Sequence, residues 1–323
     1  MMLSNGKMSG APGYGHGKRD SIGLTGPFYL EYNVWRTGRQ EMKISVVDVG
    51  GGLRGVYAAG VFDYCLDNRV QFDLCIGVSA GSANISAYIA GQNKRNYPFY
   101  TEYPFRKEYM SLPNFIFKHS YLDLDYVYGT LSNSDGENPL DYQAIIHSPI
   151  ELRIVASNAQ TGEVRYFDKT NMKQDDYSIL KASSALPFVC HPYEVDGIPY
   201  YDGALGDPVP VEKALQLGCD KVVVILNKPK DLLREPGKDL WFADRIQKKY
   251  PLAAENLRRR AERYNQGVAA AKRYEAQGRA LIVAPDDTCG LETLSKDKNA
   301  LKRFYEKGYQ DAQAIPVFIK NAD

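Results

Sequence analysis

Short apolar runs alternate with stretches of helical periodicity through most of the chain. Residues 43–49, 72–76 and 221–227 are mostly apolar and short, the pattern of strands buried on both faces of a sheet. Between the first two runs, Val56, Ala59, Gly60, Phe62 and Leu66 recur at roughly helical spacing, which predicts a helix over Val56–Asp67. Residues 80–90, rich in small side chains, read as a second helix, and residues 177–185 as a third, stopped by Pro187. Residues 152–157 and 163–167 flank a short Asn-Ala-Gln-Thr-Gly connection and predict a hairpin. A second hairpin is expected where residues 194–195 and 198–201 flank Asp196-Gly197. A loop at 202–210 leads into a helix ending near Gly218. Strands alternating with helices in this way predict an α/β fold with helices on both faces of a largely parallel sheet.

Three segments depart from this pattern. Residues 1–41 are glycine-rich, show neither period, and are expected to form a mobile lead. Residues 97–128 carry eleven aromatic side chains without a clean period and read as an insertion over the core. Phe99, Tyr100, Phe105, Met110, Phe115 and Phe117 then have two readings, as a lipid-facing cover or as core packing. Beyond Pro229 the chain turns to charged helices, giving a catalytic domain at 42–230 and a mainly helical extension at 231–323. Within the extension the basic run at 257–263 reads as the solvated face of a helix starting near Ala253, not as a nucleic-acid patch. Residues 279–285 add one strand, and 296–315 a last helix.

Composition narrows the function classes. At 323 residues the chain can bury a substantial core in one large domain or two small ones. Lys plus Arg total 40 against 39 for Asp plus Glu, so no overall field recruits nucleic acid or an anionic membrane, and any lipid contact has to be local. The five cysteines lack a C-x-x-C pair, reading as reduced thiols with no zinc site. Without a secretory h-region in the first 40 residues or a stretch of 18 apolar residues, the expected location is the cytoplasm, peripheral to a membrane at most.

The chemistry begins at Gly77-Val78-Ser79-Ala80-Gly81, between a predicted strand and a predicted helix. That is the setting of a nucleophile elbow, in which Gly77 and Gly81 leave room for a strained serine and the Ala80 N–H points at the reacting carbonyl. A serine needs a base, and the four histidines are His16, His119, His147 and His191. None follows His191, so the order Ser, acid, His is impossible here. Asp202, followed by Gly203, is either a carboxylate base acting directly on Ser79 or an Asp-Gly turn. His191 beside Pro192 would be the base of a conventional triad, or else a loop residue. Gly50-x-Gly52-x-x-Gly55 matches the dinucleotide fingerprint, yet Asp73 opens the second strand where a ribose-binding acid should close it. The other reading is an oxyanion hole built from the Gly50, Gly51 and Gly52 backbone with Arg54 adding charge.

Taken together, Gly50-Gly51-Gly52-Leu53-Arg54-Gly55, Gly77-Val78-Ser79-Ala80-Gly81 and Asp202-Gly203-Ala204 resemble, in order, the three motifs of the patatin-like phospholipases. The likeness extends over roughly residues 43–228, and the tail, with Glu262-Arg263-Tyr264-Asn265, is similar to that of a bacterial subgroup. This resemblance implies a three-layer α/β/α fold, a Ser79–Asp202 dyad, and hydrolysis of lipid esters without metal or other cofactor. The family often has Asp-Gly-Gly where this chain has Asp202-Gly203-Ala204. A protein of the same fold that binds lipid without turnover remains the alternative of another class.

Overall fold

A computed structural model describes residues 42–118 and 120–320. The expected lead at 1–41, with His16, and His119 lie outside the described residues. Met42–Asp323 forms one compact unit. Among the described residues the strands are β1 (Ile44–Asp48), β2 (Leu74–Val78), β3 (Glu151–Asn158), β4 (Val164–Phe167), β5 (Tyr193–Val195), β6 (Ile198–Asp202), β7 (Lys221–Ile225) and β8 (Ala280–Val283). They make one mixed sheet in the order β5-β6-β3-β2-β1-β7-β8, with β4 also paired to β3. The β1, β2, β3, β7 and β8 ladders are parallel, while β4, β5 and β6 join antiparallel.

The apolar runs are continuous because the sheet has a core on each face. Val46, Cys75 and Val223 point into one core, with the helices Val56–Asp67, Ala80–Ile89 and Lys298–Asp311. Their neighbours Val47, Ile76, Val222 and Val224 enter the other, with helices Val211–Gln216 and Arg260–Ala276. This is a three-layer α/β/α arrangement with a helical C-terminal region. Asp196 and Gly197 both have positive φ, at 51° and 76°, as a two-residue hairpin turn of this kind requires.

Register decides what the fold brings together. Asp48 of β1 lies opposite Gly77 of β2 and Ile225 of β7, so the loops leaving these parallel strands emerge side by side. Val78 of β2 lies opposite Val155 of β3, and the next residue, Ala156, lies opposite Asp202 of β6. The β6 hairpin thereby delivers Asp202 to the residue that follows β2, Ser79.

The extension is not one long helix followed by another. The helix expected from Ala253 breaks at Arg259 into Pro251–Arg258 and Arg260–Ala276. That break turns Arg260 inward onto Asp239, with Nη2 2.5 Å from Oδ1, so the 257–263 run is not wholly a solvated face. Segment 296–315 likewise divides into Lys298–Asp311, whose first turn is capped by the Asp297 carboxylate, and Ala314–Lys320. Strand β8 pairs with β7, and Lys298–Asp311 packs along Val56–Asp67. There the fully buried Tyr57 and Phe304 rings lie 5.1 Å apart, and Tyr57 donates to the Asp311 carboxylate at 2.8 Å. Phe304→Ala opens a cavity at this joint and is expected to lower the unfolding free energy by about 3–5 kcal/mol. Urea denaturation measures it; a loss near zero would mean that this helix is not part of the core.

Candidate active site

The backbone of Ser79 sits at φ 57° and ψ −132°, a conformation that costs a non-glycine residue about 1–3 kcal/mol and persists only where the surroundings hold it. They do so from several directions. The Ser79 N–H donates to Ser183 Oγ at 3.0 Å, and its carbonyl accepts from the Ser82 N–H at 2.9 Å and Ser82 Oγ at 2.6 Å. A Cβ on Gly77 would lie 2.6 Å from Ser82 Cα, and one on Gly81 would overlap the Asp48 carbonyl. Both motif glycines are therefore fixed by close backbone approach.

Asp202 ends β6, 3% exposed, with its Oδ1 accepting the Ala204 N–H at 2.8 Å. Burial pushes its carboxyl up; the Ser79 hydroxyl, the Ala204 N–H and the charges of Arg260 and Arg234 pull it part of the way back. Gly203 follows because a Cβ there would overlap the Val155 carbonyl. Ala204 stands where the motif often carries glycine, and is accommodated beside the cavity.

The glycine loop lies against the elbow. Gly50, Gly51 and Gly52 have φ of 66°, 121° and 62°; the Gly50 N–H donates to Asp48 Oδ1 at 2.8 Å, and the Leu53 N–H to the Thr293 carbonyl at 2.8 Å. The N–H groups of Gly51 and Gly52 have no acceptor among the described residues. Gly51, Gly52, Arg54, Ser79, Ala80 and Asp202 share one cavity of about 570 Å³. Gly50, Gly55, Gly77, Gly81 and Gly203 stay outside that lining, packed behind it. The geometry offers a serine, a buried carboxylate and N–H donors without an acceptor among the described residues, all on the wall of one cavity large enough for a lipid chain.

The insertion supplies the apolar wall. Phe99, Tyr100 and Met110 are buried and line the cavity, so the two readings of the aromatic segment coincide there. Phe105 and Phe117 are exposed instead, and Phe115 is half-buried with its ring 5.5 Å from that of Phe188. His191 does not join Ser79: it lines a separate pocket with Phe115 and Tyr250, and its Nδ1 lies 2.8 Å from Ser120 Oγ. His147 is exposed and bonded to the Gln143 carbonyl.

Residues that sequence reasoning passed over complete the site. Buried Asp48 also accepts from Asn84 Nδ2 at 2.9 Å; the same amide reaches the Gly55 carbonyl at 3.0 Å, and Asn84 Oδ1 accepts from the Tyr100 hydroxyl at 3.0 Å. Burial pushes the Asp48 carboxyl up to about 6, against the pull of Asn84 and the Gly50 N–H. A lone acid inside an otherwise apolar strand was the available signal. Asn227 and Lys228, just after β7, and Arg234, Arg260 and Tyr264 from the tail also line the cavity.

The model of the family "Patatin-like phospholipase" matches residues 49–215, and that of a domain of unknown function, DUF6363, matches residues 250–315. Among curated proteins, the uncharacterized protein YjjU of Escherichia coli (strain K12) is 30% identical over 208 residues, which cover 63% of this chain and 56% of YjjU. The chain thus matches little more than half the length of that relative. The crystal structure of VipD from Legionella pneumophila is similar with a TM-score of 0.43 and 12% identity, covering 87% of this chain and 67% of VipD.

Asn84→Ala would leave the Asp48 carboxylate, the Gly55 carbonyl and the Tyr100 hydroxyl short of a partner, and is expected to cost about 1–3 kcal/mol of stability. Asp48 has a folded-state value above its ordinary 3.8, so it takes stability away as pH rises through that window; losing the Asn84 donor widens it. The cost should therefore be larger at about pH 8 than at about pH 4. Urea unfolding at both pH values checks this, and an equal loss at both would show that Asn84 does not act through Asp48.

Proposed function

Because the chain belongs to the patatin-like phospholipase family, we propose that it is a serine lipid acyl hydrolase that cleaves carboxylic esters of glycerolipids through an acyl-enzyme. The observation that carries the reading is that Ser79, on its strained elbow, and the buried Asp202 carboxylate line one largely apolar cavity. In this reading residues 42–230 form the catalytic domain, and residues 231–323 an extension that contributes part of the cavity wall.

Ser79 Oγ attacks the ester carbonyl carbon while Asp202 takes the hydroxyl proton. The carbonyl π pair moves to oxygen, and the oxyanion is met by the N–H groups of Gly51, Gly52 and Ala80 and by the charge of Arg54. Collapse breaks the bond to the alcohol oxygen, which leaves with the proton from Asp202, and Ser79 carries the acyl group. Asp202 then deprotonates water; the hydroxide adds to the acyl carbon, and the fatty acid departs as Ser79 recovers its proton. A carboxyl raised by burial suits this role, since a base of ordinary carboxylate strength takes a serine proton less readily.

Ser79→Ala and Asp202→Asn are each expected to lower kcat by about 10³ to 10⁶ and to be non-additive, while His191→Gln keeps most activity. A fluorophosphonate should label Ser79. The base must be ionised, so kcat/KM should fall as pH drops through the raised value of Asp202. Turnover above about a tenth of wild type in Asp202→Asn, with the fold intact, would remove the dyad. Lipid binding with no hydrolysis and no labelling would make this a binding protein.

The helix Leu112–Lys118 supports contact with a membrane surface: Ile116 is 64% and Phe117 82% exposed, and Phe115 of the same helix leads through Phe188 to the exposed Trp241, whose ring lies 4.6 Å from that of Phe188. Ile116→Ser with Phe117→Ser should reduce hydrolysis of long-chain esters in vesicles much more than that of a soluble short-chain ester, at unchanged Tm. Equal losses on both substrates would place the route to lipid elsewhere.

A further inference from the structure

The cavity has two chemically different arms. One is the apolar wall from the insertion. The other is lined by Arg54, Lys228, Arg234 and Arg260, with Tyr264 and Asp239. Two buried carboxylates line the cavity with these cations: Asp202, on which the charges of Arg260 and Arg234 act without an ion pair, and Asp239, which pairs with them. Its oxygens, 4% exposed, accept from Arg260 Nε at 2.8 Å, Arg260 Nη2 at 2.5 Å and Arg234 Nη2 at 3.2 Å. Glu235 and Glu292 also line the cavity, but both are exposed, and neither comes within ion-pair distance of a cation among the described residues.

One ion-paired carboxylate, Asp239, therefore stands against four cations. Among the described residues neither Lys228 nor Arg54 has an ion-pair partner. Two buried polar atoms are left over as well: Arg54 Nε and the Tyr264 hydroxyl have no hydrogen-bond partner. The strain of this arrangement shows in the charges themselves. Burial, then Arg54, Arg234 and Arg260, push the Lys228 ammonium down to about 8, and burial with Arg260 pushes Arg234 down to about 10. An uncompensated cation cluster that is half-buried or deeper is costly, and an anion with several acceptor oxygens relieves it.

We propose that this arm binds the phosphate group of a glycerophosphate lipid, with Lys228, Arg234 and Tyr264 as its ligands, while the acyl chain lies along the apolar arm and the ester reaches Ser79. The lipid part rests on the acyl-hydrolase reading. The phosphate part rests on the excess of cations over paired carboxylates and on the unpartnered Arg54 Nε and Tyr264 hydroxyl. A terminal phosphate monoester fits better than a choline or ethanolamine headgroup, because the buried carboxylate among these cations, Asp239, is already held by three guanidinium bonds. Lys228, Arg234 and Tyr264 all lie beyond the 49–215 family match, so headgroup choice is set outside the matched residues, by the end of the catalytic domain and the extension together.

Full-length Ser79→Ala protein, which binds without turnover, is titrated calorimetrically with oleoyl lysophosphatidic acid, with monooleoylglycerol and with inorganic phosphate. The phosphate-bearing lipid should bind at least about tenfold tighter than the glyceride. Adding Lys228→Gln or Arg234→Gln should remove about tenfold of that preference, leaving glyceride affinity unchanged; Lys228→Arg should restore it. Lys228 makes no hydrogen bond or ion pair among the described residues, so its replacement leaves no protein group unpaired. Equal affinity for the two lipids, or a preference that survives both substitutions, overturns the proposal. Inorganic phosphate binding as tightly as the lysolipid would make the site one for soluble phosphate and overturn the headgroup assignment. Preferential lysolipid binding by a protein whose wild type hydrolyses no ester would sustain the subsite and sink the acyl-hydrolase reading instead.

Discussion

A single buried carboxylate, Asp48, ties the glycine loop to the elbow helix. One oxygen holds the Gly50 N–H and the other holds Asn84 of the helix that follows Ser79. Gly50 comes so near the elbow that a Cβ would overlap the Val78 carbonyl, an approach only glycine permits. The orientation of the Gly51 and Gly52 N–H groups relative to Ser79 follows from that joint. Burying a carboxylate this deeply is unfavourable, as its raised value shows; two directed donors make it tolerable, and a neutral apolar residue there would leave both donors unpaired.

The second constraint is register. Ser79 follows a parallel strand and Asp202 ends an antiparallel one, more than a hundred residues later. Their meeting depends on β3, which pairs with β2 along its first half and with β6 along its second. A slip of one residue in the β6 pairing would turn Asp202 to the opposite face of the sheet. The Asp196-Gly197 turn, with both residues at positive φ, sets the pairing of β5 with β6 and so helps to hold β6 in place.

These dependencies explain which features were legible beforehand. The strand runs, the first two helices and both hairpins are local patterns, readable because period and turn chemistry act over a few residues. Ser79, Asp202 and the glycine loop were legible as motifs, since each carries its own backbone requirement. The Asp48–Asn84–Tyr100 network was not, because it joins positions 36 and 16 residues apart that no period connects. Nor was the inward turn of Arg260. In a run of four arginine and alanine neighbours nothing local marks the helix break at Arg259, and the carboxylate that draws Arg260 in, Asp239, lies 21 residues away. The aromatic insertion hid its roles for the opposite reason: burial and cavity lining make the same demand on a side chain, so Phe99 and Met110 satisfy both.

The extension is more than an addition to a finished domain. Its strand β8 continues the sheet beyond β7, its helix Lys298–Asp311 covers Val56–Asp67, and the Thr293 carbonyl accepts the Leu53 N–H just after the glycine loop. Thr293 Oγ1 also accepts from Arg54 Nη2 at 3.2 Å, so the loop beside Ser79 is braced from β1 on one side and from the extension on the other. The same segment brings Arg234 and Arg260, two of the four cations that line the polar arm. Packing that steadies the loop and charge that shapes the cavity therefore come from one stretch of chain. Substitutions there can alter the charge of the cavity through Arg234, which touches neither the loop nor the elbow through any hydrogen bond among the described residues, or alter the loop itself through Thr293, and the two effects are separable because different side chains carry them.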